Sequence, residues 1–436
     1  MSKSFADEPV EFFANSLAKA HQAPRQEIAE LQLEALQRRF GDLTSVIPPL
    51  EVLASQRGVS AIDSLDDAPA VFFHHSMYKS YPEEALLGGD FATLTDWLSN
   101  FTTHDLSTVA EREFTTLDGW LFALNTDTAM HVLHSSGTTG QLSFIPRGKL
   151  EHQFAIRHVQ MAMVEIAKPG AFYPNNPDFA VIWPSFSEGY SGVLTLGEMF
   201  RDAYCRTPED YYPLIPHRLS ADYQLYLMQL ENARAAGDEF IGAPNDYVQA
   251  AIDQSFDMRG SERERNEAML DKIAGEWRDK KIIFAGGPVI LYNLAKLGLA
   301  KGMENALAEG SRVITFGGFK GISPVGDEEA VIKRFTGAGR IQYLYGMTEV
   351  ATGFLMCESG RYHIPPWIIP YVLDGETGAP KPREGTQSGI AAYMDLSAQS
   401  YWGGLISADR VEMSWEQCSC GRTTPHIGAD IERVEE

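Results

Sequence analysis

The sequence predicts an α/β protein with at least one largely parallel sheet, followed by a small β subdomain. Three observations lead there. Short apolar runs close on glycine at 282–287, 313–318 and 341–346, the pattern of buried strands that turn at their carboxyl ends. Helical periodicity alternates with such runs, most clearly at 149–167 through Phe154, Val159, Met161, Met163 and Ile166, and strands alternating with helices imply a parallel sheet. Beyond about residue 360 the chain becomes rich in Pro and Gly, with short β-like runs at 390–394 and 401–406.

Taken in order, residues 10–40 read as helical because Ile28, Leu31, Leu33, Leu36 and Phe40 recur among Glu, Gln and Arg. A loop-rich stretch runs on to about residue 105. His131-Val132-Leu133-His134 is a short strand candidate, and Ser135-Ser136-Gly137-Thr138-Thr139-Gly140 is the loop that follows it. The expected division is an N-terminal helical and loop part of the large domain at 1–105, an α/β core at 106–360 and the β subdomain at 361–436.

Composition narrows the function classes. Of 436 residues, 44% are hydrophobic and 22% charged, enough apolar material to offset the entropy of ordering, so the chain is not disordered. A net charge of −23 argues against a nucleic-acid surface, which needs clustered Lys and Arg. No apolar run reaches the about 20 residues of a membrane span, and the first residues lack the basic and apolar regions of a signal peptide. Four cysteines do not make a disulfide framework. The expectation is a cytoplasmic protein with neither nucleic-acid nor membrane partners.

Three constellations carry chemistry. Backbone N–H groups and hydroxyls of the 135–140 loop can surround an anion, although the same composition also makes an ordinary surface turn. In Tyr345-Gly346-Met347-Thr348-Glu349 an aromatic can lie on a nucleobase, Thr348 can donate to a phosphate and Glu349 can hold Mg²⁺; Thr348 as a plain helix cap is the alternative. Cys357, His363, Cys418 and Cys420 have the donor types of a closed tetrahedral Zn²⁺ site. Cys418 or Cys420 as a thiol nucleophile is the rival, and four unrelated residues a third reading. Cys205 reads as a small buried apolar side chain.

Taken together, Ser-Ser-Gly-Thr-Thr-Gly and Tyr-Gly-Met-Thr-Glu resemble motifs of the adenylate-forming superfamily of acyl-CoA synthetases, luciferases and adenylation domains. Gly317-Gly318 is similar to its adenine-contacting glycines, and Asp409, in Ile406-Ser407-Ala408-Asp409-Arg410, to the aspartate that holds the ribose hydroxyls. Two branches fit. The phenylacetate-CoA ligases likewise lack the usual lysine three residues after the loop, where Ser143 stands in this chain, and have a Cys-Gly-Arg segment similar to Cys420-Gly421-Arg422. The acyl-protein synthetases of bacterial bioluminescence share Lys79-Ser80-Tyr81-Pro82, 97–106, Gly317-Gly318-Phe319-Lys320, His363-Ile364-Pro365-Pro366-Trp367, Tyr393-Met394-Asp395 and Tyr401. The resemblance runs from roughly residue 70 to 436.

It implies the N-terminal-domain fold of adenylate-forming enzymes, with residues 106–360 as the adenylation core. The chain ends where the mobile C-terminal domain and its lysine would begin. The resemblance also implies ATP-dependent activation of a fatty or aryl carboxylic acid, then acyl transfer to a thiol of CoA, a carrier protein or a partner protein. Ser135 to Gly140 would take the β- and γ-phosphates, Tyr345 and Gly318 the adenine. Trp183, Phe186, Tyr190 and Gly192, with Gly286 and Gly287, match the stretches that line the acyl pocket, although aromatics there serve equally as core. No cysteine follows Cys420, whereas acyl-protein synthetases carry an acyl-accepting cysteine near their end. An amine acceptor, giving an amide, and a non-catalytic nucleotide-binding subunit are the other two readings.

Overall fold

The computed structural model describes residues 4–135, 140–167, 179–238, 242–318 and 323–434. Ser136, Gly137, Thr138 and Thr139 of the Ser/Thr/Gly loop lie outside the described residues, as do Phe319 and Lys320. The chain divides into two compact units. One comprises Met1–His134, Ser143–Pro174 and Met347–Glu436; the other comprises Ser135–Leu142 and Asn175–Gly346.

The second unit is built on parallel strands in the order Ile341–Tyr345, Arg312–Phe316, Ile282–Gly286, Ala180–Glu188 and Tyr211–Arg218. Ile282–Gly286 is buried at every position, as a strand covered on both faces requires. The three glycine-closed runs are therefore strands, as anticipated. Ala180–Glu188 and Tyr211–Arg218 were not: Pro184, Pro213 and Pro216 interrupt them, and proline is a poor strand signal. The helix Pro288–Ala300 starts with proline in its first turn, where the missing N–H costs nothing. Gly298 then lets it approach the helix Glu328–Thr336, since a Cβ there would meet the Phe335 ring at 2.2 Å. Phe284, Leu291, Leu294, Phe335 and Trp277 form the apolar centre.

The first unit holds antiparallel strands in the order Ile368–Leu373, Thr386–Asp395, Gly404–Ser414, His426–Arg433, Tyr362–His363 and Phe354–Met356. Phe73–His74 pairs in parallel with Gly404–Ser414. Trp367, Trp402, Tyr371, Tyr393 and Phe73 are fully buried around it. The helical reading of 10–40 breaks into Pro9–Phe12, Leu17–Gln22 and Arg25–Leu43. Ala14 and Asn15 adopt left-handed dihedrals between the first two pieces, and Pro24 separates the last two. Of 131–134 only Leu133–His134 is strand, paired antiparallel with Phe144–Ile145. Among the described residues no helix is long and apolar enough to cross a membrane.

Candidate active site

In the first unit, Asp409 lies on the strand Gly404–Ser414 opposite Arg433. Its carboxylate is 3.4 Å from the Arg433 guanidinium, and its own N–H donates to the Ser407 hydroxyl at 3.2 Å. Asp409 is 7% exposed whereas the Arg433 side chain is 56% exposed, so the carboxylate is enclosed while its counter-charge faces solvent. Thr348 and Glu349 stand on a short turn. Burial pushes the Glu349 carboxyl up, and the charge of Asp409 adds to the shift; the fields of Arg433 and Lys79 oppose it. Glu349, Asp409, Arg433 and Lys79 thus share one electrostatic environment with two carboxylates in it.

In the second unit the anticipated residues gather along the carboxyl edge of the parallel strands, where ligands bind in such sheets. Ile282–Gly286 runs into Gly287, Arg312–Phe316 into Gly317 and Gly318, and Ile341–Tyr345 into Gly346. Gly317 and Gly318 have φ of 77° and 57°, left-handed values open to glycine with little strain. Gly192 begins the helix Gly192–Tyr204 after Ala180–Glu188. The Gly140 carbonyl accepts from Asn232 Nδ2 at 2.8 Å.

The aromatics there differ in what they do. Trp183 is 1% exposed, stacks on Phe316 at 5.6 Å and fills the space where Gly197 would carry a Cβ, so it packs as core. Tyr190 is covered by the Arg218 guanidinium at 4.1 Å. Phe186 is half-buried. A Cβ on Gly286 would strike Pro184 at 2.8 Å, whereas one on Gly287 would meet nothing closer than 3.9 Å.

Cys357, His363, Cys418 and Cys420 converge in the first unit with all four ligand atoms within 4.8 Å of one another. Cys357 and Cys418 sulfurs are 3.9 Å apart, and Cys420 Sγ is 3.3 Å from His363 Nε2. Ligand atoms on a tetrahedral zinc are spaced by about 3.5–3.8 Å, so the set fits that ion. Burial holds the His363 imidazole well below its usual pKa, in the neutral form that ligates metals. Its Nδ1 is within hydrogen-bond distance of the Thr424 hydroxyl, at 3.2 Å, the outer contact that orients a ligating histidine.

Two turns of one design present the sulfurs. Cys357-Glu358-Ser359-Gly360-Arg361 and Cys418-Ser419-Cys420-Gly421-Arg422 both read Cys-x-x-Gly-Arg. In each, the Cys N–H donates to the Arg carbonyl and the Gly N–H to the Cys carbonyl. Both glycines are left-handed, with φ of 72° and 88°. That short repeat is a sequence signal the reading above passed over. Cys205 is elsewhere, its thiol pushed up to about 12 by burial, which leaves it unreactive.

No family model matches the chain. Over 137 residues, 30% of its length, the chain is 26% identical to the long-chain-fatty-acid–luciferin-component ligase of Aliivibrio fischeri, and the match spans only 36% of that relative. A solved structure of 2-hydroxyisobutyryl-CoA ligase in an open conformation, with 2-HIB-AMP and CoA, matches 96% of this chain and 72% of its own, with TM-score 0.53 and 14% identity. The same ligase in its thioesterification state matches 97% and 72%, with TM-score 0.53 and 16% identity. The chain has the fold of the adenylate-forming ligases.

Within this adenylate-forming fold, the residues anticipated from sequence fall in both units: Thr348, Glu349, Asp409 and the Cys/His set in one, and the glycines, Tyr345 and the pocket stretch in the other. Three residues escaped the reading, and Lys79 entered it only as part of a shared stretch. Lys79 and Arg433 act on Glu349 from positions remote in sequence. Val193 and Ile290, 40% and 44% exposed, follow Gly192 and Pro288 in the helices that leave two adjacent parallel strands. An exposed apolar residue just inside a helix start, after a glycine-closed strand, is the signal that would have found the last two.

Proposed function

We propose that this chain activates a carboxylic acid with ATP and passes the acyl group to a thiol of CoA, a carrier protein or a partner protein. The observation that carries the reading is Asp409, a buried strand carboxylate 3.4 Å from the Arg433 guanidinium, in the same unit as the Thr348–Glu349 turn, on an adenylate-forming fold. A substrate carboxylate oxygen attacks the α-phosphorus in line. The new O–P bond forms as the bond to the β-phosphate oxygen breaks, leaving acyl-AMP and pyrophosphate. Asp409 accepts from the ribose hydroxyls, Thr348 donates to the α-phosphate, and Tyr345 with Gly317 and Gly318 borders the adenine. Ser135 to Gly140 receive the β- and γ-phosphates. These groups act by positioning and by opposing developing charge.

Glu349 would hold Mg²⁺. The donor chemistry fits, because a carboxylate oxygen beside substrate phosphates is the donor set Mg²⁺ prefers. Held by Glu349, such an ion would supply positive charge that offsets the charge of the phosphates. Exposed Val193 and Ile290 favour an apolar acid over a charged one. The Cys/His set would hold Zn²⁺ as a structural ion, since four protein ligands leave no open position.

Pyrophosphate release over a panel of short, aryl and fatty acids tests the reading. Release that depends on an apolar acid, followed by acyl capture on a thiol in competition with amines, is the expected result. No release with any acid would overturn it in favour of a non-catalytic nucleotide-binding subunit, and preference for an amine would make the chain an amide-forming ligase.

A further inference from the structure

Two buried opposite charges in the first unit bracket the turn that carries Thr348 and Glu349. Arg147 is 3% exposed and Asp395 fully buried. Arg147 Nη2 donates to the Thr348 carbonyl at 2.9 Å. Asp395 Oδ2 accepts from the Ala351 N–H at 2.9 Å, while its other oxygen accepts from the Ser397 N–H at 2.9 Å and from the Ser397 hydroxyl. The stretch from Gly346 to Gly353 has neither helix nor strand, so no ladder of its own holds it. A cation grips the carbonyl at the start of 348–351 and an anion grips the amide at its end.

The supports of these two side chains lie elsewhere in the fold. Arg147 follows the strand Phe144–Ile145; its N–H donates to the Ile145 carbonyl and its carbonyl accepts from His131 N–H at 2.7 Å. Asp395 is the last residue of Thr386–Asp395. Tyr401, fully buried, lies in the field of both. Burying a charge is costly unless it is hydrogen-bonded and compensated. Charge-assisted bonds are also about twice as strong as neutral ones. A pair placed on the two ends of one turn therefore holds that turn more firmly than neutral side chains of the same shape.

We infer that Arg147 and Asp395 are positioning residues that fix Thr348 and Glu349 for nucleotide binding, an inference that rests on the proposed function for the role of those two residues. Neither needs to touch substrate. A displacement of roughly 1 Å in such a turn is enough to cost about a hundredfold, and the clamp removes that freedom before ATP arrives.

Two measurements on Arg147→Met, Arg147→Lys and Asp395→Asn test this. Hydrogen exchange in the peptide spanning residues 346–354 reads the clamp without any ligand. Both neutral variants should raise it roughly tenfold or more, as expected for a lost charged hydrogen bond, while peptides from Ile368–Leu373 and Gly404–Ser414 stay protected. Calorimetric ATP affinity with and without Mg²⁺ reads the positioning. Both neutral variants should lose the Mg²⁺-dependent part, as Glu349→Gln should, and Arg147→Lys should regain part of it. If Arg147→Met does not fold, Asp395→Asn, which keeps the shape, carries the comparison. Unchanged exchange in the 346–354 peptide overturns the clamp. Raised exchange with unaltered Mg²⁺-dependent affinity overturns the positioning role. Wild-type protein that binds no ATP overturns the proposed function and the positioning role with it, while exchange still decides whether the two charges hold the turn.

Discussion

Cys420 Sγ lies 3.3 Å from His363 Nε2, close enough for a hydrogen bond without a metal and for two ligands of one ion if a metal is bound. With Cys357 and Cys418 completing the set, purified protein should contain close to one zinc per chain by elemental analysis. Thiolates must form to bind the ion, so acid or strong chelation should remove it. Cys418→Ser should lose metal and thermal stability together. A metal-free protein carrying a hydroxylamine-labile acyl group that Cys418→Ser or Cys420→Ser abolishes would instead make one of these thiols a nucleophile.

Asp409→Ala should raise the ATP requirement without unfolding the chain, because main-chain pairing on both sides holds the strand Gly404–Ser414 independently of this carboxylate. Loss of a charged hydrogen bond costs about 1.5–3 kcal/mol, so a ten- to hundredfold weakening of ATP binding is expected by titration calorimetry. Glu349→Gln should lower acid-dependent pyrophosphate release, since a neutral amide is a poor Mg²⁺ ligand. Wild-type values for both variants would remove these residues from the site.

Stability should respond to pH through Glu165 on the helix Lys149–Ala167. Burial pushes its carboxyl up to about 7, against the opposing charge of Arg422 and a bond from the Ala18 backbone; Glu358 adds to the rise. The folded state then holds a proton that the unfolded chain releases from about 4.5 upward. Stability from this group is therefore present at low pH and lost as pH rises towards 7. In denaturant titrations, Glu165→Gln should gain on wild type as pH climbs through that window. A difference that does not vary with pH would contradict the assignment.

His158 works in the opposite direction. Burial pushes its imidazole down to about 4, and its Nε2 is within hydrogen-bond distance of the Gly353 carbonyl at 2.9 Å. The unfolded chain takes up a proton near pH 6.5 that the folded chain resists until about 4. Stability is therefore present above 6.5 and lost as pH falls between these values. The stability difference between wild type and His158→Gln should shrink over that range, read by the same titrations.

Gly298→Ala separates helix propensity from packing. Alanine is favoured over glycine in a helix by roughly 1 kcal/mol, but its Cβ would meet the Phe335 ring at 2.2 Å. Overpacking of this kind costs about 1–3 kcal/mol, so thermal unfolding should shift downwards. Phe335→Leu in the same background should recover part of the loss, and a stabilised Gly298→Ala would show that the two helices separate freely.

The sequence by itself determined the local features. The strand Ile282–Gly286 is legible because a strand buried on both faces is continuously apolar and its glycines mark the turn that ends it. Thr348 and Glu349 are legible because their side-chain types belong to phosphate and cation chemistry, and the cysteines because thiols and imidazole suit one metal. Tertiary structure alone decided the rest. Arg147 meets Thr348 across 201 positions of chain, and Arg433 meets Asp409 only through the register of two antiparallel strands. Pro184, Pro213 and Pro216 concealed two strands that only parallel pairing with their neighbours sustains. A residue's type and its near neighbours set its local preference. Which distant charge faces it, and whether water is excluded around the pair, depends on the long-range packing of elements that no local pattern encodes.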